Sequence, residues 1–260
     1  MKNAKFIVIC IAVAAVSILC ATRAGWRGRH KENHFVEWVT MGTVAEFHVR
    51  SEEDLGKAHI VMEVFADIER LVNAHDKESE LSRLSNLDDN ALLASASELV
   101  RPCYEAAFKM RDVSGGVFNP RWRGEGTLDL GAIAKGYAVD LAAERVGPCD
   151  ALISLGGNMK ALGGEWRVGV MAADGRENFT LQANEACATS GEYFRGNHIK
   201  NALTGKDVES GIYSASVRHP SSAMLADALS TVLFILGREK GDAFLNAHFP
   251  EASAIWVRKS

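Results

Sequence analysis

Residues 223–236, AMLADALSTVLFIL, are apolar on nearly every face. A helix of that kind has no side to show to water, so the fold must enclose it. A chain of 260 residues has the length to do so. The sequence before it alternates between strand and helix signals. FVEWVT and TVAEFHVR read as two strands around Met41-Gly42, and residues 55–73 as an amphipathic helix carrying Ala58, Val61, Met62, Phe65, Ile68, Leu71 and Val72. A polar stretch, HDKESELSRLSN, follows. The spacing of Leu99, Tyr104, Ala107 and Met110 predicts a second helix over 94–113, which SGGVFNP ends. Leu128-Asp129-Leu130 reads as the close of a strand and Gly131 as a breaker. Ile133, Tyr137 and Leu141, with Ala134, Ala138, Ala142 and Val146 beside them, keep a helical period. Short strands follow in ALISLGGNMKALGG, WRVGVMAA, FTLQAN, SASVRH and ASAIWVR. Helices and strands mix without strict alternation, which predicts an α+β fold with a mixed, largely antiparallel sheet and packed helices.

The N-terminus is of another character. Lys2 and Lys5 precede residues 6–21, FIVICIAVAAVSILCA, and Arg23, Arg27, Arg29 and Lys31 follow. This pattern reads as an export signal or a short membrane anchor over residues 1–24, then a polar linker over 25–34 and a folded domain over 35–260. Export would place the domain in the periplasm or on the outer face of the inner membrane, with membrane contact only through this segment. A net charge of −4 leaves no footprint for nucleic acid. The five cysteines form no C-x-x-C pair and read as small hydrophobes rather than ligands or a disulfide framework.

Several residues invite a chemical reading beside a structural one. Lys135 falls in the first turn of its helix, where cations are mildly disfavoured. It is either a solvated lysine or a partner for a phosphate held by the amides of that helix start. Asp227 and Thr231 are four apart in the enclosing helix and face the same way. They either make structural hydrogen bonds, with Thr231 returning to the preceding turn, or offer oxygens to a hard cation such as Mg2+. His198 sits in GNHIKNALTG, a polar loop, with a pKa range suited to proton transfer. Gly156-Gly157 is a tight turn or a place of close approach to a ligand.

The order and wording of eight blocks resemble the ApbE-type FAD:protein FMN transferases, over the chain from about Phe35 onward. The blocks are MGT (41–43), SELSRLSN (79–86), GVFNP (116–120), LDLGAIAKGYAVD (128–140), ISLGGNMKALG (153–163), ATSGEY (188–193), HIKNALTG (198–205) and LADALST (225–231). The resemblance implies two lobes with a flavin site between them and FAD as substrate. It also implies Mg2+ as cofactor and, as partner, an electron-transfer flavoprotein carrying an acceptor threonine or serine. Met41, Phe118, Asn119, Asp129, Lys135 and Ile199 fall on positions that would contact FAD. The main-chain carbonyl of Ala132 and the side chains of Asp227 and Thr231 would hold Mg2+. His198 would activate the acceptor hydroxyl, while Lys135 would neutralise the diphosphate.

The sequence departs from the family at several places. The segment RWRGEGT between Pro120 and Leu128 is short, and Asn119 stands where an acid is usual, which puts the cover over the flavin end in question; Trp122 is an aromatic that could stack there. Asn201 and Ala202 replace aspartate and proline, His75 stands for a common tyrosine, and Asn158 for a frequent aspartate. Two other activities use the same residues: an Mg2+-dependent FAD pyrophosphatase giving FMN and AMP, and a non-catalytic flavin-binding or assembly protein.

Overall fold

A computed structural model of the chain describes residues 33–172, 175–191, 199, 201–208 and 210–258. The chain opens with the hairpin of β1 (His34–Thr40) and β2 (Thr43–Val49), paired from His34–Val49 to Thr40–Thr43. Its two-residue turn needs positive φ twice, at Met41 (49°) and Gly42 (68°). A 3-10 turn over Glu52–Lys57 then leads into α1 (Ala58–Val72). The polar stretch after it is not a plain loop. Ser79 accepts the Ser82 amide and starts α2 (Glu80–Leu84), and Asp88 accepts the Ala91 amide and starts α3 (Asp89–Ser95).

The single helix expected over 94–113 is two: α3 stops at Ser95, and α4 runs over Arg101–Val113. Pro102, at the first turn of α4, has no amide to donate back into a longer helix. After α4 the expected strand at Leu128-Asp129-Leu130 does not form. The Asp129 amide donates to Pro120, and its carboxylate accepts from Gly131 and Trp122, so its polar groups serve a loop rather than a ladder.

Then follow α5 (Ala134–Val146), the hairpin of β3 (Ala151–Leu155) and β4 (Asn158–Leu162), the hairpin of β5 (Trp166–Ala172) and β6 (Gly175–Leu181), and β7 (Ala186–Gly191). The last elements are β8 (Ile212–His219), α6 (Ala223–Leu236), α7 (Arg238–His248) and β9 (Ser253–Arg258). The sequence reading contained no counterpart of α7: it buries only Gly241 and Leu245, which is too narrow a stripe to show a period.

Seven strands form one sheet in the order β1-β2-β3-β4-β7-β8-β9, and every pairing is antiparallel; β5 and β6 make a separate ribbon. The fold is α+β, as expected. From Asn33 onward the chain is one compact unit, with a large hydrophobic cluster and a small one under β5 and β6, rather than two comparable lobes. Helix α6 packs on β7, β8, α5 and α7. Its Leu229, Val232, Leu233 and Phe234 are fully enclosed, each contributing about 2 kcal/mol of burial. Among the described residues no helix is long and apolar enough to cross a membrane.

Candidate active site

The site forms where the start of α5 meets the second turn of α6. Gly136 permits this approach: a Cβ there would lie 2.2 Å from the Ala223 carbonyl oxygen and 2.8 Å from the Asp227 Cβ. With the helices so close, the Gly136 amide donates to Asp227 Oδ2 at 3.0 Å. In a regular helix that amide would bond the Ala132 carbonyl, four residues back. Diverting it leaves the carbonyl oxygen of Ala132 uncommitted among the described residues.

Asp227 is 5% exposed, and among the described residues Lys135 is its one cationic neighbour, with Nζ 3.9 Å from Oδ2. That is the outer limit of an ion pair. The ammonium is instead held by the Gly131 carbonyl, to which it donates at 2.7 Å. Burial pushes the Asp227 carboxyl above the usual carboxylate range, while Lys135 and the Gly136 amide pull against it. Such a group is under-satisfied and gains from a cation. Thr231, one turn on, does not bond back into its own helix; its hydroxyl lies 3.1 Å from Ser190 Oγ at the end of β7. Among the described residues no three His, Cys, Asp or Glu side chains converge on one point. The cluster is therefore one carboxylate, one hydroxyl and one main-chain carbonyl. All three are hard oxygen donors, which fit Mg2+ better than a softer metal.

Asp129 is held beside this centre. Its Oδ1 accepts the Gly131 amide at 2.8 Å, and its Oδ2 accepts the Trp122 indole N–H at 3.2 Å and lies 3.2 Å from Arg123 Nη2. Arg123 also lies over the Trp122 ring, 4.6 Å from its centroid. The short RWRGEGT segment thus braces Asp129 with an aromatic and a cation, and one face of Trp122 is already covered. Asn119 closes a turn by accepting the Arg121 amide at 2.9 Å. Phe118 is a core side chain, 3% exposed. Met41 and Ile199 pack against the core edge. Structure thus brings Lys135 and Asp227 together, with Ala132 in the loop leading into the helix of Lys135, Thr231 one turn beyond Asp227, and Asp129 joined through Gly131. Among the described residues no hydrogen bond or ion pair joins Phe118, Asn119, Met41 or Ile199 to that centre. His198 lies outside the described residues.

Two further residues, Asp140 and Ser190, stand inside the quoted blocks, but nothing in the sequence names their partners. Asp140, on α5, accepts from Lys160 Nζ (2.8 Å), Ser222 Oγ (2.8 Å) and the amides of Ala223 and Met224 (2.9 Å each). Ser190 reaches both Thr231 and Ser230. Each makes its partners across a large sequence separation, which spacing cannot reveal. A cavity of about 700 Å3 lies between residues 201–208 and Ile235 near the end of α6, and Asp227 is not in its lining. Its lining mixes Asn201, Thr204, Lys206 and Asp207 with Val208 and Ile235 and includes no residue of the carboxylate centre.

The sequence model of the ApbE family matches residues 120–256, more than half of the chain. A FAD:protein FMN transferase of Treponema pallidum is 28% identical over 332 aligned positions, covering 93% of this chain and 89% of the relative. One from Klebsiella pneumoniae is 35% identical over 149 positions, covering 51% and 46%. Among solved structures, the flavin transferase ApbE from Vibrio cholerae superimposes with a TM-score of 0.74 over 88% of this chain and 94% of that one; at 19% identity it shows a shared fold.

Proposed function

The chain belongs to the ApbE family, and from that premise we propose that it transfers FMN from FAD to a threonine or serine hydroxyl of a target flavoprotein, releasing AMP. The observation that carries this reading is the buried Asp227 carboxylate, set against the start of α5 with the Lys135 ammonium beside it. The proposed Mg2+ site is the Ala132 carbonyl, Asp227 and Thr231. Bound there, Mg2+ would supply positive charge where the diphosphate oxygens become more negative.

The chain's own residues do the rest. Lys135, at the start of α5, faces an anion with positive charge, which favours holding the diphosphate there. In the reaction the acceptor oxygen forms a bond to the FMN phosphorus, and the bond from that phosphorus to the bridging oxygen breaks. The electron pair leaves with AMP, and Lys135 offsets the charge. The hydroxyl proton must leave as attack proceeds, and the resemblance assigns that task to His198. Asp129, fixed by Trp122, Arg123 and Gly131, keeps the loop before α5 in place. The N-terminal pattern, Lys2 and Lys5 before an apolar run, supports export or anchoring, so the target would be an exported or membrane-bound electron-transfer protein.

The test mixes the full chain with FAD, Mg2+ and a candidate acceptor domain, and records the acceptor's intact mass together with AMP release. An acceptor heavier by one FMN, only when Mg2+ is present, is the expected result. AMP and free FMN with no gain in mass would mean hydrolysis, and bound FAD with no AMP would reduce the protein to a flavin binder.

A further inference from the structure

Three hydroxyls link the Thr231 side chain to the main chain at Asp227, the two ligand positions of the proposed cation site. Ser190 Oγ lies 2.8 Å from Ser230 Oγ and 3.1 Å from Thr231 Oγ1. Ser230 Oγ donates to the main-chain carbonyl of Asp227 at 2.8 Å. A carbonyl only accepts, and a hydroxyl has a single hydrogen to give. These two facts set the direction of the whole chain. The Ser230 hydrogen is committed to Asp227, so Ser190 must donate to Ser230. The Ser190 hydrogen is then committed too, so Thr231 must donate to Ser190. Thr231 therefore gives its proton toward β7 and keeps its lone pairs for another partner.

We infer that Ser190 is a positioning residue for the cation site: it accepts the Thr231 proton and so aims the Thr231 oxygen lone pairs at the ion. The inference rests on the reading of Asp227 and Thr231 as ligands and adds the group that orients one of them. The chain of hydroxyls ends on the Asp227 carbonyl, so it ties the strand end of β7 to both ligand positions on α6. Without Ser190, the Thr231 hydroxyl is free to turn back to the carbonyl four residues earlier, as threonines in helices do. Its lone pairs then leave the site. Ser230 is fully buried, so the relay has no water to replace a missing member at that end.

The probe is Mn2+ alone, added to the full-length chain and followed by loss of the free-ion EPR signal. Ser190→Ala should melt as the unaltered chain does yet bind Mn2+ about tenfold or more weakly, the usual effect of losing a group that orients a metal ligand. Ser190→Thr, which keeps the hydroxyl, should restore binding. In a Thr231→Val background Ser190→Ala should bring no further loss, because the two act as one unit. Should the alanine variant fail to fold, Ser190→Cys is isosteric and a weak hydrogen-bond partner, and serves the same comparison. Unchanged Mn2+ affinity in Ser190→Ala, with binding lost in Asp227→Asn, overturns the inference and leaves the cation site standing. A further loss in the Thr231→Val background equally overturns it. Mn2+ binding that survives Asp227→Asn removes the cation site itself, and the role of Ser190 with it.

Discussion

Asp140 and Asp227 exchange places across one helix pair: each carboxylate accepts amides at the start of the helix that carries the other. Asp140, on α5, takes the Ala223 and Met224 amides of α6, and Asp227, on α6, takes the Gly136 amide of α5. Their remaining partners separate their roles. Asp140 also has the Ser222 hydroxyl and the Lys160 ammonium, so four donors share its two oxygens. Asp227 has one amide and a lysine 3.9 Å away. Equivalent in topology, one is a satisfied structural cap and the other holds spare binding capacity.

Replacing Asp227 should therefore separate stability from activity. Burial raises its folded pKa above the usual 3.8. The stability linked to that raised value is fully present below 3.8 and is lost as pH rises through the folded pKa. At neutral pH the ionised carboxylate is then a burden on the metal-free protein. Asp227→Asn removes the charge and keeps an acceptor for Gly136, and Lys135 remains held by Gly131. The metal-free variant should melt higher, at roughly 2–4 °C per kcal/mol relieved. Mg2+ should raise the melting temperature of the unaltered chain and leave the variant's unmoved. FMN transfer should fall by at least about a hundredfold. A lower melting temperature, or transfer at the original rate, contradicts this account.

Asp140→Ala should behave in the opposite way. It leaves Lys160, 13% exposed at its side chain, without its carboxylate and two amides of α6 without an acceptor. Breaking a pair of this kind costs about 3 kcal/mol. Urea unfolding should show the midpoint falling by that amount with an unchanged slope. A midpoint within experimental error of the original would show that Ser222, which caps α6 through the Leu225 amide, suffices alone.

The contrast shows which parts of the molecule the sequence discloses. Elements with a sustained period, such as α6 and the β1–β2 hairpin, are legible because burial on one face or on all faces imposes a repeat. The α3–α4 break is legible only if Pro102 outweighs the apolar spacing around it. Helix α7 is not legible, because it buries too few residues to leave a pattern. In the site, Lys135, Asp227 and Thr231 stand in distinctive local wording. Asp140, Ser190 and the Trp122–Arg123 brace act through partners on other elements, whose register the one-dimensional pattern does not contain. Phe118 falls among the expected flavin contacts by its motif, and the structure adds that its side chain is 3% exposed, which the motif does not disclose.

Gly136→Ala tests whether close helix packing builds the site. In an unconstrained helix the change would stabilise by roughly 1 kcal/mol. Here the new Cβ would meet the Ala223 carbonyl oxygen at 2.2 Å, and backbone cannot yield as a side-chain tip can. The helices must separate, so the expected net effect is a loss of about 1–3 kcal/mol. The Gly136–Asp227 bond should lengthen and transfer should fall along with stability. Chemical denaturation and the mass assay read both effects, and a stabilised, active variant would show the contact is dispensable.

His219 should make the start of α6 sensitive to acid. Its ring is 4% exposed, and Nδ1 accepts the amides of Ser221 (3.2 Å) and Ser222 (3.0 Å), which requires that nitrogen to be unprotonated. Burial holds its pKa below the ordinary 6.5, outweighing Glu251 and Asp140, which favour the cation, while Lys160 opposes it. A depressed folded value means the contribution is complete above 6.5 and is lost as pH falls through the folded pKa. Protonation would remove the acceptor for two amides beside Ser222, the residue that caps α6. Melting temperatures recorded at about pH 7.5 and about pH 5 should fall more steeply for the unaltered chain than for His219→Asn, which can accept at a similar place without titrating. Parallel pH profiles for the two proteins would show that the imidazole does not govern the acid sensitivity of this helix start.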